Sequence, residues 1–148
     1  MLIGSYVQRI DIKGRTAVPF RFKKELGTEV ILARWYEKCL AIFALNDWGE
    51  MVKEATSGGV LAAPARDTER FLLGGAYETN LDAQGRFVMP QALRAHSSLE
   101  GAKEVVFVGL NRRVEVWSKE SWQNKEKEIV DKAEQLIEEV RTGKSNKV

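Results

Sequence analysis

The chain has 148 residues, 44% of them apolar and 30% charged, with only three prolines. That is the make-up of a folded globular protein of one domain or two small ones, and it excludes a fibrous or disordered chain. Formal net charge is +2 at pH 7, too small either to demand or to exclude a polyanionic partner, so the placement of charge has to decide.

A single cysteine, Cys39, and a single histidine, His96, leave no internal disulfide and no paired residues for a metal or nucleophilic centre. Cys39 sits in an apolar run and reads as a small buried hydrophobe. No stretch approaches the roughly 18 apolar residues that span a bilayer, and residues 1–6 lack the pattern of a secretory leader. The expectation is a cytoplasmic protein without a membrane partner, a metal or a cofactor.

Residues 6–10 alternate apolar and polar, as a half-buried strand does, and Asp11-Ile12-Lys13-Gly14-Arg15 follows as a tight turn. Residues 15–18 make a short second strand, so a small hairpin is expected. Gly14 supplies the positive φ of such a turn, and the Asp11 carboxylate accepts backbone N–H groups a few residues on. Pro19 suits the first turn of a helix over 20–26. Strands over 29–33 and 40–44 come next, rich in valine, isoleucine and phenylalanine. Residues 47–56, the breaker Ser57-Gly58-Gly59 and a helix over 64–73 form a connecting stretch.

The pattern then begins again. Gly4-Ser5-Tyr6 recurs as Gly75-Ala76-Tyr77, Asp11 to Arg15 as Asp82-Ala83-Gln84-Gly85-Arg86, and Val18-Pro19 as Met89-Pro90, all offset by 71 residues. A helix over 91–96 and strands over 104–109 and 114–117 complete the second copy. From Ser118 onward Trp122, Ile129, Ala133, Leu136, Ile137 and Val140 recur at helical spacing. This predicts an amphipathic helix packed on the body or on a neighbouring subunit, ending in a frayed tail over 143–148. Units of about 45 residues bury too little surface to fold alone, so the two copies are expected to share one pseudo-symmetric barrel-like core. The division is 5–47 for the first copy, 48–75 for a helical linker, 76–119 for the second copy and 120–148 for the C-terminal helix and tail.

The glycine pairs match no phosphate-binding pattern, and Glu138-Glu139 reads as a solvated helix face. Trp35, Trp48, Trp117 and Trp122 stand where core packing is ordinary, and His96 reads as a cap or surface residue. What remains is the doubled Asp-x-x-Gly-Arg turn. An exposed arginine there can make bidentate bonds to phosphate or to the O6 and N7 edge of guanine. It can equally fold back on its own aspartate, as a surface ion pair worth little. Turn chemistry leaves these two readings level. Charge placement distinguishes the copies: Arg9, Lys13, Arg15, Arg21, Lys23 and Lys24 stand against Asp11 alone, whereas Arg86 and Arg94 are matched by Glu78 and Asp82.

Two Asp-x-x-x-Arg motifs at corresponding places in an internal repeat, each followed by proline four residues after the arginine, resemble the MraZ family of bacterial transcription regulators. The likeness runs from about Leu2 to Trp122. It implies an α+β fold in which two pseudo-symmetric copies of an AbrB-like swapped-hairpin unit form a small double-split β-barrel flanked by helices. It also implies a nucleoid-associated regulator, usually a repressor of division and cell-wall genes, that binds short direct repeats in double-stranded DNA as a ring homo-oligomer, an octamer. No cofactor and no small-molecule substrate are implied.

Carried onto this sequence, the DNA-contacting residues are Arg15, Lys13, Arg86 and Arg9, with Asp11, Gly14, Asp82 and Gly85 shaping the turns. Gln84 stands where the first copy has Lys13, so equal contact by both copies is not implied. The alternative function is a ring-forming interaction scaffold without specific DNA binding, and an enzyme is a distant third.

Overall fold

The computed structural model describes residues 1–143; the tail expected to fray lies, beyond Gly143, outside the described residues. Among them the first half of the chain contributes β1 (Leu2–Arg9), β2 (Arg15–Ala17), α1 (Phe20–Leu26), β3 (Glu29–Arg34), β4 (Leu40–Ala44) and, in the connecting stretch, α2 (Leu45–Ala55) and α3 (Ala63–Leu72). The second contributes β5 (Ala76–Asn80), β6 (Arg86–Val88), α4 (Gln91–His96), β7 (Glu104–Asn111), β8 (Arg113–Ser118), α5 (Lys119–Asp131) and α6 (Ala133–Thr142). The chain is α+β and its pairing is antiparallel throughout.

The strands form a six-stranded sheet in the order β1-β7-β8-β4-β3-β5 and a two-stranded ribbon, β2-β6. The copies are therefore exchanged: β1 lies against β7 of the second copy, and β5 lies against β3 of the first. Val30, Leu32, Leu40, Ile42, Val105, Phe107, Val114 and Val116 line one face of the sheet in a single core. The buried side chains of α1 and α4 and of the ribbon, among them Phe22, Leu93 and Phe87, close that core from above.

The opposite face is also covered. Cys39, Val106, Val108 and Trp117 pack there with Trp35 and Trp122, and Phe43 meets Trp48 of α2. A sheet buried on both faces is written in continuous apolar runs, and β3, β4 and β7 read that way.

Three expectations are corrected. The arms of each turn do not form a hairpin of their own, because β2 takes its ladder bonds from β6 across the copies. Within the first copy, β1 and β2 are joined by side chains reaching backbone: Gln8 Nε2 donates to the Ala17 carbonyl at 2.7 Å and Thr16 Oγ1 to the Arg9 carbonyl at 2.7 Å. The first strand starts at Leu2 rather than Tyr6; Gly4, a poor strand former, is opposite Gly109, so the two backbones approach with no side chain between them. The single C-terminal helix is two, broken at Lys132, whose φ of −112° and ψ of 10° leave the helical range.

Candidate nucleic-acid interface

Both turns are built by one aspartate. Asp11 Oδ1 accepts the backbone N–H groups of Lys13 at 3.0 Å and Arg15 at 2.9 Å, and Asp82 Oδ1 accepts those of Gln84 and Arg86 at 2.9 and 2.8 Å. The remaining oxygen, Oδ2, takes the arginine's Nε at 2.6 Å in each copy. The Arg15 bonds hold the Asp11 carboxyl below its ordinary range, the backbone N–H contributing most; at Asp82 the Arg86 side chain contributes most.

Each arginine thus does fold back on its aspartate, but only through Nε. Side chains 61% and 67% exposed make these pairs weak sources of stability and effective orienting devices, since the outer edge of the guanidinium still faces solvent. Arg86 Nη2 reaches Gln84 Oε1 at 3.4 Å, a contact that Lys13 cannot offer Arg15.

The turns also lock onto each other. The Gly14 carbonyl accepts the Met89 N–H at 2.8 Å, and the Gly85 carbonyl accepts the Val18 N–H at 2.9 Å. A Cβ at Gly14 would meet the Met89 carbonyl oxygen at 2.6 Å, and one at Gly85 the Val18 carbonyl oxygen at 2.7 Å, with φ at +88° and +79°. Glycine is required twice over, by conformation and by space.

This seating sets the geometry of the whole site. The arginines lie where each turn ends, on the outer face of the shared ribbon, where Arg15 is opposite Val88 and Arg86 opposite Ala17. A groove of about 680 Å³ runs along that face, lined by Gln8, Arg9, Arg15, Ala17, Arg86 and Val88 among others. A second, of about 600 Å³, passes Arg9, Asp11 and Arg15 to Lys103 and Glu104. Arg9 thus borders both, while Lys13 is exposed on the first turn. The structure brings Arg9, Arg15 and Arg86 to one groove; Arg21 and Lys24 are exposed on α1.

Sequence reasoning missed Arg94. Its Nε donates to the Met89 carbonyl at 3.1 Å and its Nη1 to the Ile12 carbonyl at 3.1 Å, so an α4 side chain braces the first copy's turn. The 71-residue offset places Lys23 at the equivalent position, and Lys23 indeed lies beside Gly85; that equivalence was the available signal. His96, expected as a cap or surface residue, is half-buried, with Nε2 2.8 Å from the Trp35 carbonyl oxygen. Among the described residues no group of His, Cys, Asp and Glu is placed to hold a metal ion, and no helix is long and apolar enough to cross a membrane.

Fold and site define a class of protein: duplicated α+β chains that exchange strands between copies and display an aspartate-oriented arginine from each copy on one shared ribbon. The family model described as "MraZ protein, putative antitoxin-like" matches twice, over residues 1–71 and 72–144. The chain is 37% identical to the transcriptional regulator MraZ of Caldanaerobacter subterraneus subsp. tengcongensis, across 93% of this chain and 95% of that protein. It is 39% identical to the transcriptional regulator MraZ of Moorella thermoacetica, across 95% and 96%, and 37% identical to that of Desulforamulus reducens, across 95% and 97%. The chain belongs to the MraZ family.

Proposed function

We propose that this protein is a sequence-specific DNA-binding transcription regulator and not an enzyme, acting as a ring homo-oligomer, an octamer, on short direct repeats of double-stranded DNA. The observation that carries the reading is the placement of Arg15 and Arg86 on one exposed face of a two-stranded ribbon. A ribbon of this kind fits the major groove of B-DNA, and guanidinium groups pair bidentately with guanine O6 and N7 there. Asp11 and Asp82 orient the two arginines, Gly14 and Gly85 let the turns close, and Lys13 and Arg9 supply attraction to phosphate.

The interlocked halves, taken as 5–47 and 76–119, with 48–75 linking them and 120–148 appended, act as an intramolecular form of the AbrB swapped hairpin. One ribbon makes few phosphate contacts, so salt screens it readily. Several subunits on successive repeats raise the effective concentration, and avidity gains of roughly 10² to 10⁴ are ordinary. The exposed apolar side chains of Val130, Ile137 and Val140 on α5 and α6 favour association with further subunits. The names borne by the relatives support regulation of transcription. Repression of division and cell-wall genes, in the nucleoid, completes the proposal.

The test is fluorescence anisotropy of a duplex carrying short direct repeats, titrated across salt concentrations. Binding that depends on the repeats and weakens steeply with salt is expected; a ring that ignores DNA would instead favour the interaction scaffold. Arg15→Ala is expected to weaken binding by about 1–3 kcal/mol, and Arg86→Ala by less, because cations crowd the first copy. Equal losses would overturn the asymmetry and leave DNA binding standing; no loss from Arg15→Ala would overturn its role as a reading head.

A further inference from the structure

The ribbon's outer face also carries an apolar side chain that charge does not explain. Because β2 and β6 pair with Arg15 opposite Val88 and Arg86 opposite Ala17, those four side chains share one face. Thr16 and Phe87, between them, turn the other way and are buried. Val88 is 56% exposed. Positions 17 and 88 are equivalent under the 71-residue offset, so the face is symmetric in charge and unsymmetric in shape: two arginines, but alanine in one arm and valine in the other.

We propose that Val88 is a specificity-determining residue that packs against the C5 methyl group of a thymine neighbouring the base addressed by Arg15. The inference rests on the DNA-reading function proposed above and deepens it.

The thymine methyl is the apolar feature that base edges present in the major groove, and apolar side chains read it by contact. Directly opposed residues on paired strands have Cβ atoms about 4.5–5.5 Å apart, and successive bases of one strand are spaced about 3.4 Å along the helix axis. A long arginine and a short valine side by side therefore suit adjacent bases. Ala17 lacks two methyl groups and does not reach as far, so the thymine preference belongs to the second copy's arm. The arms then divide the work: the first copy, with Lys13 and Arg9, carries more of the charge, and the second adds an apolar contact.

The experiment uses the full chain and a duplex that it selects from a randomised pool, with each thymine of that duplex replaced singly by uracil, which lacks only the methyl. Burial of one methyl group corresponds to about a fourfold change in affinity. With the wild-type chain, one replacement is expected to weaken binding about fourfold.

With Val88→Ser, whose side chain carries a hydroxyl and no methyl group, and with Val88→Ala, cut back to Cβ, that replacement is expected to change little, while the salt dependence of binding persists. A selected duplex with no thymine in its recognised positions overturns the inference. So does a uracil effect of equal size in wild type and both variants. A chain that selects no duplex at all overturns the DNA-reading function itself, and this inference with it.

Discussion

Gly14 and Gly27 have nearly the same positive φ, +88° and +83°, yet different surroundings. A Cβ at Gly27 would meet nothing within 4 Å, whereas at Gly14 the Met89 carbonyl oxygen is 2.6 Å away. Gly27→Ala is therefore expected to cost about 1–3 kcal/mol, the backbone penalty alone, because φ of +83° with ψ of −162° is a conformation essentially confined to glycine. Gly14→Ala is expected to cost more, because the two turns must separate. Urea denaturation of both variants checks the ranking; equal midpoints would show that the interlock bears little of the stability. Asp11 and Asp82 are a second matter of single residues, one that pH reveals. Both carboxyls are lowered from an ordinary value of 3.8, so the folded state holds these protons more weakly than the unfolded state does. Their stabilising contribution is then complete above that value and disappears as pH falls through the lowered folded values. Carboxyl NMR titration is expected to give midpoints below 3.8 for both, and Arg15→Ala is expected to move that of Asp11 upward while leaving Asp82 in place.

At the scale of elements, an arginine caps the C-terminal turn of the linker helix α3, whose Leu72 is buried and whose Phe71 packs on Tyr36. Arg34, at the end of β3, donates Nε to the Phe71 carbonyl at 2.6 Å and Nη2 to the Arg70 carbonyl at 2.9 Å, and its guanidinium lies 5.1 Å from the centre of the Phe71 ring. A cation at the C-terminus of a helix satisfies carbonyls that lack partners within it and complements the negative end of its dipole. Arg34→Ala is expected to destabilise the protein by about 1–3 kcal/mol. Hydrogen exchange should quicken over α3 and leave the β2-β6 ribbon protected. Faster exchange in the ribbon as well would mean that linker and site are not independent. Helical spacing announced α3, and also the amphipathic stretch after Ser118. It did not announce the break at Lys132, since lysine is an ordinary helix former and no glycine or proline marks the place.

For the whole molecule, the exchange of strands makes the halves interdependent. Without residues 72–144, β1 loses β7, β2 loses β6 and β3 loses β5 on its outer side, and the core loses Phe87, Met89, Leu93 and Phe107. Either half alone is expected to be unfolded or self-associated, never a folded monomer, and mixing the two is expected to restore the near-ultraviolet circular dichroism of the intact chain. A folded monomeric half in analytical ultracentrifugation would contradict this.

The amino-acid sequence by itself determined the local content of this protein: the strand and helix order, the doubled turn, the glycines and aspartates that shape it, and the arginines at its ends. These depend on neighbours a few residues apart, where alternation, turn chemistry and proline stops are direct consequences of side-chain structure. Tertiary structure alone decided which strands pair. The alternation of residues 6–10 is equally satisfied by a partner in the same copy or in the other, and exchange prevails because it buries one core between two units that are each too small. From that choice came what no local pattern announced: the Arg94 brace reaching Ile12, and Arg15, Arg86, Ala17 and Val88 gathered on one ribbon face. Side chains 71 residues apart in the chain become neighbours only when antiparallel pairing fixes their register.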